Sequence, residues 1–251
     1  MIVVIGLPAY VDEADGEICA GGLAVEIAAE ARRRGAQVEL AGKVGGDGAG
    51  DAVVVALGRL GVGHAALLRD AARPTPLLVA EEGDATMGAG ATATAAPAAT
   101  AASASVATGD AIAAADPDGR PPLPRLLPED PNGRPALEAG DVEMALRYLT
   151  GPRVVVVAEP LSAPALSAAA EGAAFSGASL VILTAAGAGS HAGAPVVPDL
   201  ATATVLEMPP DDDGSFARLV GAYAASLDAG TEPGKAFRDG VAAVGWERSP
   251  D

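Results

Sequence analysis

Aromatic residues are scarce in this chain: three Phe, three Tyr and one Trp among 251 residues. With half the residues hydrophobic, any core must be built from Ala, Val and Leu. Cysteine is nearly absent. A single Cys19 excludes an intramolecular disulfide and any multi-cysteine zinc site. The two histidines, His64 and His191, lie far apart without metal-ligand spacing, so no metal site is expected. Positive charge is also short. Sixteen Lys and Arg face 33 Asp and Glu, for a net charge of −17. Such a surface repels phosphate backbones and anionic lipid, which argues against nucleic-acid and membrane partners. It also gives a nucleoside triphosphate no long-range attraction. No apolar run approaches the roughly 20 residues of a membrane-spanning helix. The opening MIVVIGLPAY is apolar but short and lacks a basic region, so it does not read as a signal peptide. The expectation is a soluble, cytoplasmic protein.

What is present is an alternation of strand and helix signals. The length suits one large α/β domain or two small ones, and the order of elements favours one. IVVIG, from Ile2 to Gly6, reads as a buried first strand. Gly21 to Arg34 reads as a helix with an apolar stripe of Leu23, Ile27 and Ala31, closed by Gly35. Gln37 to Gly42 is a second strand and Asp51 to Leu60 a second helix. Leu77 to Glu82 is a further strand candidate. From Gly83 to Gly140 the texture changes to Ala, Thr, Pro, Gly and Asp, read as a long loop or insert within the domain. A surface Ala-rich helix is the competing reading of its first part. Pro121, Pro122, Pro124, Pro128 and Pro131 argue against regular structure in its second. Order returns with DVEMALRYL, for which Asp141 is the expected N-cap. RVVVVAE reads as a strand buried on both faces, followed by a helix from Ala163 to Phe175 and the strand SLVILT. A weaker strand near Thr204 to Glu207 and two helices, Ser215 to Leu227 and Pro233 to Val244, complete the chain. This order predicts a mainly parallel sheet covered on both faces.

Three features carry chemical potential. The Gly21–Gly22 pair opens a helix, where backbone can approach a ligand and free N–H groups can bind hydroxyls. Asp12 stands where a carboxylate could accept two hydroxyl hydrogen bonds; alone, such a residue is more often a solvated turn residue. PPDDDGSF, Pro209 to Phe216, sets three carboxylates ahead of a helix start, a position that ordinarily attracts anions. GGDGAGD lacks the third glycine in register for a dinucleotide loop and does not follow the first strand. MGAGATATAAP has no Gly-Lys-Ser/Thr, so it is no phosphate loop of the Walker type. Ser162, Ser190 and His191 form no nucleophile elbow. Trp246 is expected to pack on a sheet edge or a partner.

The order Asp12, Gly21–Gly22, helix, Gly35, strand, VGGDGAG resembles the ribokinase, or PfkB-type, carbohydrate kinases. Gly22, Ala28, Gly35 and Gly45 fall on the family pattern, and Glu26 stands where the family has Asn. Val44, Gly45, Asp47 and Gly50 match its VGxDxxG loop, GRLGVGHAALL is similar to its LxxxGV ending, and RPTPLLV to its lid strand. The resemblance implies a three-layer, Rossmann-like fold of ribokinase type with a reduced lid. It implies a polyhydroxylated ligand, a sugar or nucleoside, held by Asp12, Gly21, Gly22, Glu26 and Asp47. Glu26 keeps acceptor oxygens but loses the amide donor, and a solvated helix face is its other reading.

The family's second signature is a GAGD turn at a helix start, with glycines around the migrating phosphoryl group and Asp as base. Aligned on Phe216, that turn falls on Asp211, Asp212, Asp213 and Gly214; with one inserted residue, Asp213 becomes the base, and Gly214 with Ser215 the phosphate donors. Either way the glycines are replaced by carboxylates, which repel a phosphate. The alternative is a helix capped by Asp212 or Asp213. The metal and nucleotide motifs expected after SLVILT are not seen, so the nucleotide half is expected to be shortened. The resemblance thus implies either an ATP- and Mg²⁺-dependent sugar or nucleoside kinase, its activity weak or lost, or a non-catalytic small-molecule binding or scaffold protein. It further implies a homodimer paired through lid strands, with Glu17 to Ala20 and Leu77 to Glu82 as candidates.

Overall fold

A computed structural model describes residues 1–12, 18–79, 125–126, 133–185, 203–209, 211 and 213–245. Ser190, His191, Asp212 and Trp246, and most of the 83–140 segment, lie outside the described residues. Two sheets organise the chain. The larger has six parallel strands: β1 (Ile2–Ile5), β4 (Val38–Gly45), β5 (Gly63–Asp70), β8 (Val154–Val157), β9 (Ser179–Thr184) and β10 (Thr204–Glu207). The smaller holds β2 (Ala9–Asp12), β3 (Ile18–Gly21), β6 (Leu77–Val79) and β7 (Arg125–Leu126). Six helices complete the fold: α1 (Leu23–Arg33), α2 (Gly48–Arg59), α3 (Ala139–Tyr148), α4 (Ala163–Ser176), α5 (Ser215–Asp228) and α6 (Pro233–Ala243).

The central strands read as unbroken β-branched runs because helices cover both their faces. Ile2–Ile5 and Val154–Val157 are buried throughout. Alternate side chains feed two cores. Ile2, Val4, Val154 and Val156 pack beneath α1, α2 and α5. Val3, Ile5, Val155 and Val157 pack beneath α3 and α4. This is the expected three-layer α/β arrangement. Small residues substitute for aromatic bulk by bringing elements close. An ideal Cβ at Gly221 of α5 would lie 2.6 Å from the Glu30 Cβ of α1, and one at Gly172 of α4 would lie 2.5 Å from Leu146 of α3. One pair of the few aromatics joins three elements. Tyr223 of α5 meets Phe237 of α6 edge-on at 5.9 Å, and its hydroxyl lies 3.1 Å from Thr204 Oγ1 of β10.

Three local expectations change. α3 starts earlier than its apolar pattern indicates: Glu138 is its N-cap, and Asp141 is the third residue of a reciprocal capping box rather than the cap. α2 starts at Gly48 with Asp47 as its cap. β2, β5 and β7 join the four strands expected at the N-terminal end, which become β1, β3, β4 and β6. Among the described residues, no helix is long and apolar enough to cross a membrane.

Candidate functional site

The strand order β10-β9-β8-β1-β4-β5 places the site. From β1 the chain moves outward through α1 to β4. From β8 it moves the other way through α4 to β9, on the opposite face. The order therefore reverses between β1 and β8. In open parallel sheets the crevice outside the carboxyl ends of the strands, at such a reversal, is where ligands bind. Here the residues at that position are Gly6 and Leu7 after β1, and Ala158 and Glu159 after β8.

Glycines let the backbone pack closely at this position. An ideal Cβ at Gly6 would stand 2.7 Å from Ala24 Cβ, 3.4 Å from Ala158 Cβ and 3.9 Å from Glu159 Oε1. One at Gly42 would collide with the Gly6 carbonyl. Gly22, the N-cap of α1, adopts φ +97°, which L side chains avoid, and no side chain caps the helix there. Its α-carbon faces the Leu7 carbonyl and Ala9 N–H, so the start of α1 lies beside the same segment. Glu26 sits half-buried in the first turn of α1, its N–H bonded to the Gly22 carbonyl. Asp12 is the last residue of β2, opposite Ile18. Gly21 ends β3, and its missing side chain makes room for Val11 and Leu78, 2.5 and 3.0 Å from an ideal Cβ. Its place is therefore in the apolar contact of the smaller sheet.

Glu159 is the residue that sequence reasoning did not single out. It is partly buried beyond a fully buried strand. Burial raises its pKa to about 7, against the opposing pull of the Leu7 amide and the Arg134 charge. A carboxyl near neutrality both donates and accepts hydrogen bonds, which suits vicinal hydroxyls. The available signal was a carboxylate directly after an all-β-branched strand.

Asp47 is held by its neighbours. Its carboxylate accepts from Gly50 N at 2.8 Å, Thr75 N at 2.9 Å and Thr75 Oγ1 at 2.6 Å. Burial acts to raise its pKa, but the Thr75 and Gly50 bonds prevail and hold it below the ordinary carboxylate value. Thr75 Oγ1 in turn accepts from Gly45 N at 2.9 Å. The VGGDGAG loop and the approach to β6 are thereby locked together. Thr75→Val removes two of these bonds and leaves a buried N–H without a partner. We expect a loss of about 2 kcal/mol in urea unfolding, with an unchanged m-value.

The acidic turn has a definite structure. Gly214, in the left-handed region at φ +69°, precedes α5. The three N–H groups that open α5 all point into carboxylates. Ser215 N donates to Asp213 Oδ1 at 2.9 Å. Phe216 N donates to Asp211 Oδ1 at 3.0 Å, and Ala217 N to Asp211 Oδ2 at 3.2 Å. The Ser215 hydroxyl also reaches Asp211, at 3.4 Å. The Ser215 N–H and hydroxyl hold the Asp213 carboxyl below its ordinary pKa, with Arg218 adding a smaller pull. Gly214, Ser215 and Phe216 are buried. The cap thus comes from Asp211 together with Asp213; the sequence pointed to Asp212 or Asp213.

No protein-family model matches this sequence, and no curated protein matches it. Solved structures do match its fold. A ribokinase from Arabidopsis thaliana, complexed with ribose and ATP, aligns with TM-score 0.56 at 12% identity over 97% of this chain and 90% of its own. A carbohydrate kinase from Agrobacterium tumefaciens gives 0.59 at 16% identity, over 97% and 89%. Phosphofructokinase-2 from Escherichia coli, complexed with fructose-6-phosphate, gives 0.57 at 13% identity, over 97% and 92%. At these identities the likeness is one of architecture: this chain has the ribokinase-like α/β fold shared by those sugar kinases.

Proposed function

We infer that this protein binds a small polyhydroxylated molecule, a sugar or nucleoside, at the β1–β8 crevice, and that phosphoryl transfer has been weakened or lost. The observation that carries this reading is the start of α5. In a phosphoryl-transfer site of this architecture, free N–H groups at a helix N-terminus stabilise the moving phosphoryl group. Here those of Ser215, Phe216 and Ala217 are bonded to Asp211 and Asp213. A phosphate would have to displace an intramolecular anion already at contact distance. Two unit charges about 4 Å apart repel by about 4 kcal/mol at an effective dielectric of 20.

Among the described residues, the start of α5 does not fit the phosphates of ATP, because its donors are already taken. Asp211 is committed to backbone N–H groups, and the Ser215 N–H binds Asp213 in place of phosphate. A kinase reading would make Asp213 the base and Gly214 with Ser215 the phosphate donors. It would require this cap to open first.

Ligand binding has better support. Gly22 opens α1 beside the Leu7 segment with no side-chain cap, and Glu159 offers a carboxyl suited to hydroxyl pairs. Asp12 and Glu26 are proposed to contribute acceptors from β2 and α1. Titration calorimetry against a panel of pentoses, hexoses, polyols and nucleosides tests this reading. At least one member should bind, with affinity unaffected by MgATP. A panel without heat or thermal shift, beside measurable MgATP binding, would contradict it.

A further inference from the structure

Opposite the crevice, toward the amino ends of the strands, α3 and α4 carry three exposed large apolar side chains, two of them the most exposed among the described residues. Tyr148 is 70% exposed, Met144 51% and Phe175 96%. α3 leads into β8 and α4 into β9, both parallel strands, so Tyr148 and Phe175 close their helices at the same sheet edge and on the same face. Leu146 of α3 fits against Gly172 of α4, keeping the two helices close enough to present one surface. Gly140, Glu143, Met144, Arg147 and Tyr148 make up the outward, exposed face of α3.

The pattern along this face is regular. Gly140, Met144 and Tyr148 recur every fourth residue and form an apolar column. Glu143 and Arg147 form a parallel column beside it, also one turn apart. Both are exposed, and among the described residues neither has an ion-pair partner. An acid and a base one turn apart on one face make that face complementary to itself under a two-fold axis. When two α3 helices approach antiparallel about an axis level with Ala145, each Glu143 stands opposite the partner's Arg147. The same approach joins Met144 and Tyr148 of both copies.

We propose that the α3–α4 face is the docking surface for a second copy of this chain, with Met144, Tyr148 and Phe175 as apolar anchors and Glu143 paired with the partner's Arg147. The self-complementary column favours an identical copy over an unrelated acidic or basic partner, which would satisfy only one of the two charges. The surface lies away from the lid strands that the family resemblance suggests for pairing. It is also independent of what the crevice binds. Two copies each bearing −17 repel at long range. At physiological salt this falls off over about 8 Å, so contact charges outweigh it. One helix face is small for a stable dimer, and the association belongs among transient contacts.

Sedimentation velocity from about 5 to 300 µM at physiological salt tests it, in the concentration range suited to transient association. The native chain should show concentration-dependent dimerisation. Glu143→Arg and Arg147→Glu should each weaken it about tenfold or more, and the combined swap should restore it to within about threefold of native, the signature of a direct pair. Tyr148→Ser and Phe175→Ser should weaken it as well. Leu77→Lys, on the smaller sheet, should leave it unchanged. All five positions are exposed, so circular dichroism and thermal unfolding should stay native. A monomer throughout the range overturns the proposal. So does a swap that fails to restore association, or a dimer abolished only by Leu77→Lys.

Discussion

Asp211→Ala is expected to lower stability by about 3 kcal/mol, a drop of roughly 6–12 °C in melting temperature for a chain of this size. The size of the effect follows from what is left behind. Asp211 accepts from Phe216 N, Ala217 N and the Ser215 hydroxyl. Phe216 and Ala217 are 3% and 2% exposed, so their N–H groups have little access to water in its place. An ordinary N-cap substitution costs about 1 kcal/mol, and the second N–H to a charged acceptor raises that. The same variant should acquire a property the native protein lacks. With the carboxylate removed, the start of α5 regains free N–H groups and the positive end of its dipole. Inorganic phosphate should then raise its melting temperature by mass action, while the native chain does not respond. Differential scanning fluorimetry across a phosphate series at constant ionic strength measures both. A variant as stable as the native chain would show that the cap contributes little.

Glu159 governs the second large effect. Its folded pKa is raised from 4.5 to about 7 by burial, so the folded protein holds a proton that the unfolded chain releases. Stability from this group is full below about pH 4.5 and is lost as pH rises through 7. At 1.36 kcal/mol per pH unit the loss reaches at most about 3 kcal/mol, less where solvent reaches the carboxyl. Glu159→Gln carries no charge to desolvate. It should match the native chain near pH 4.5 and exceed it in stability above pH 7. Chemical denaturation at pH 5, 6, 7 and 8 reads the difference directly; parallel curves for the two proteins would place Glu159 in water. Ligand hydroxyls donating to the carboxylate favour its ionised form. Sugar or nucleoside binding should therefore release protons near pH 7 and weaken in the Gln variant.

The sheet was legible because its strands are extreme in composition. Ile2–Ile5, Val154–Val157 and Ser179–Thr184 are runs of β-branched and leucyl residues buried on both faces, and helices separated them cleanly. β5 was not legible: His64, Ala65 and Arg69 break the apolar pattern of an edge strand that is only partly covered. β7 is two residues between Pro124 and Pro128, kept in the smaller sheet because Arg125 and Leu126 retain the N–H groups that proline lacks.

The site shows the same division. The glycine pair and the Asp47 loop stand out as local patterns. What Asp47 does is non-local, since Thr75 lies 28 residues away. Glu159 is informative only once β8 is known to lie beside β1, and strand order is not written in any local run. The acidic turn was recognisable as a helix start. Which carboxylate reaches which N–H depended on the left-handed Gly214, which turns the chain so that Asp211 folds back over the first turn of α5.

A coupled ADP-release assay with MgATP over the sugar and nucleoside panel tests the central claim most directly. The native chain and Asp213→Asn should both stay at the background rate. Turnover by the native chain, abolished in Asp213→Asn, would mean that the carboxylates at α5 give way to a phosphate, and would contradict the account.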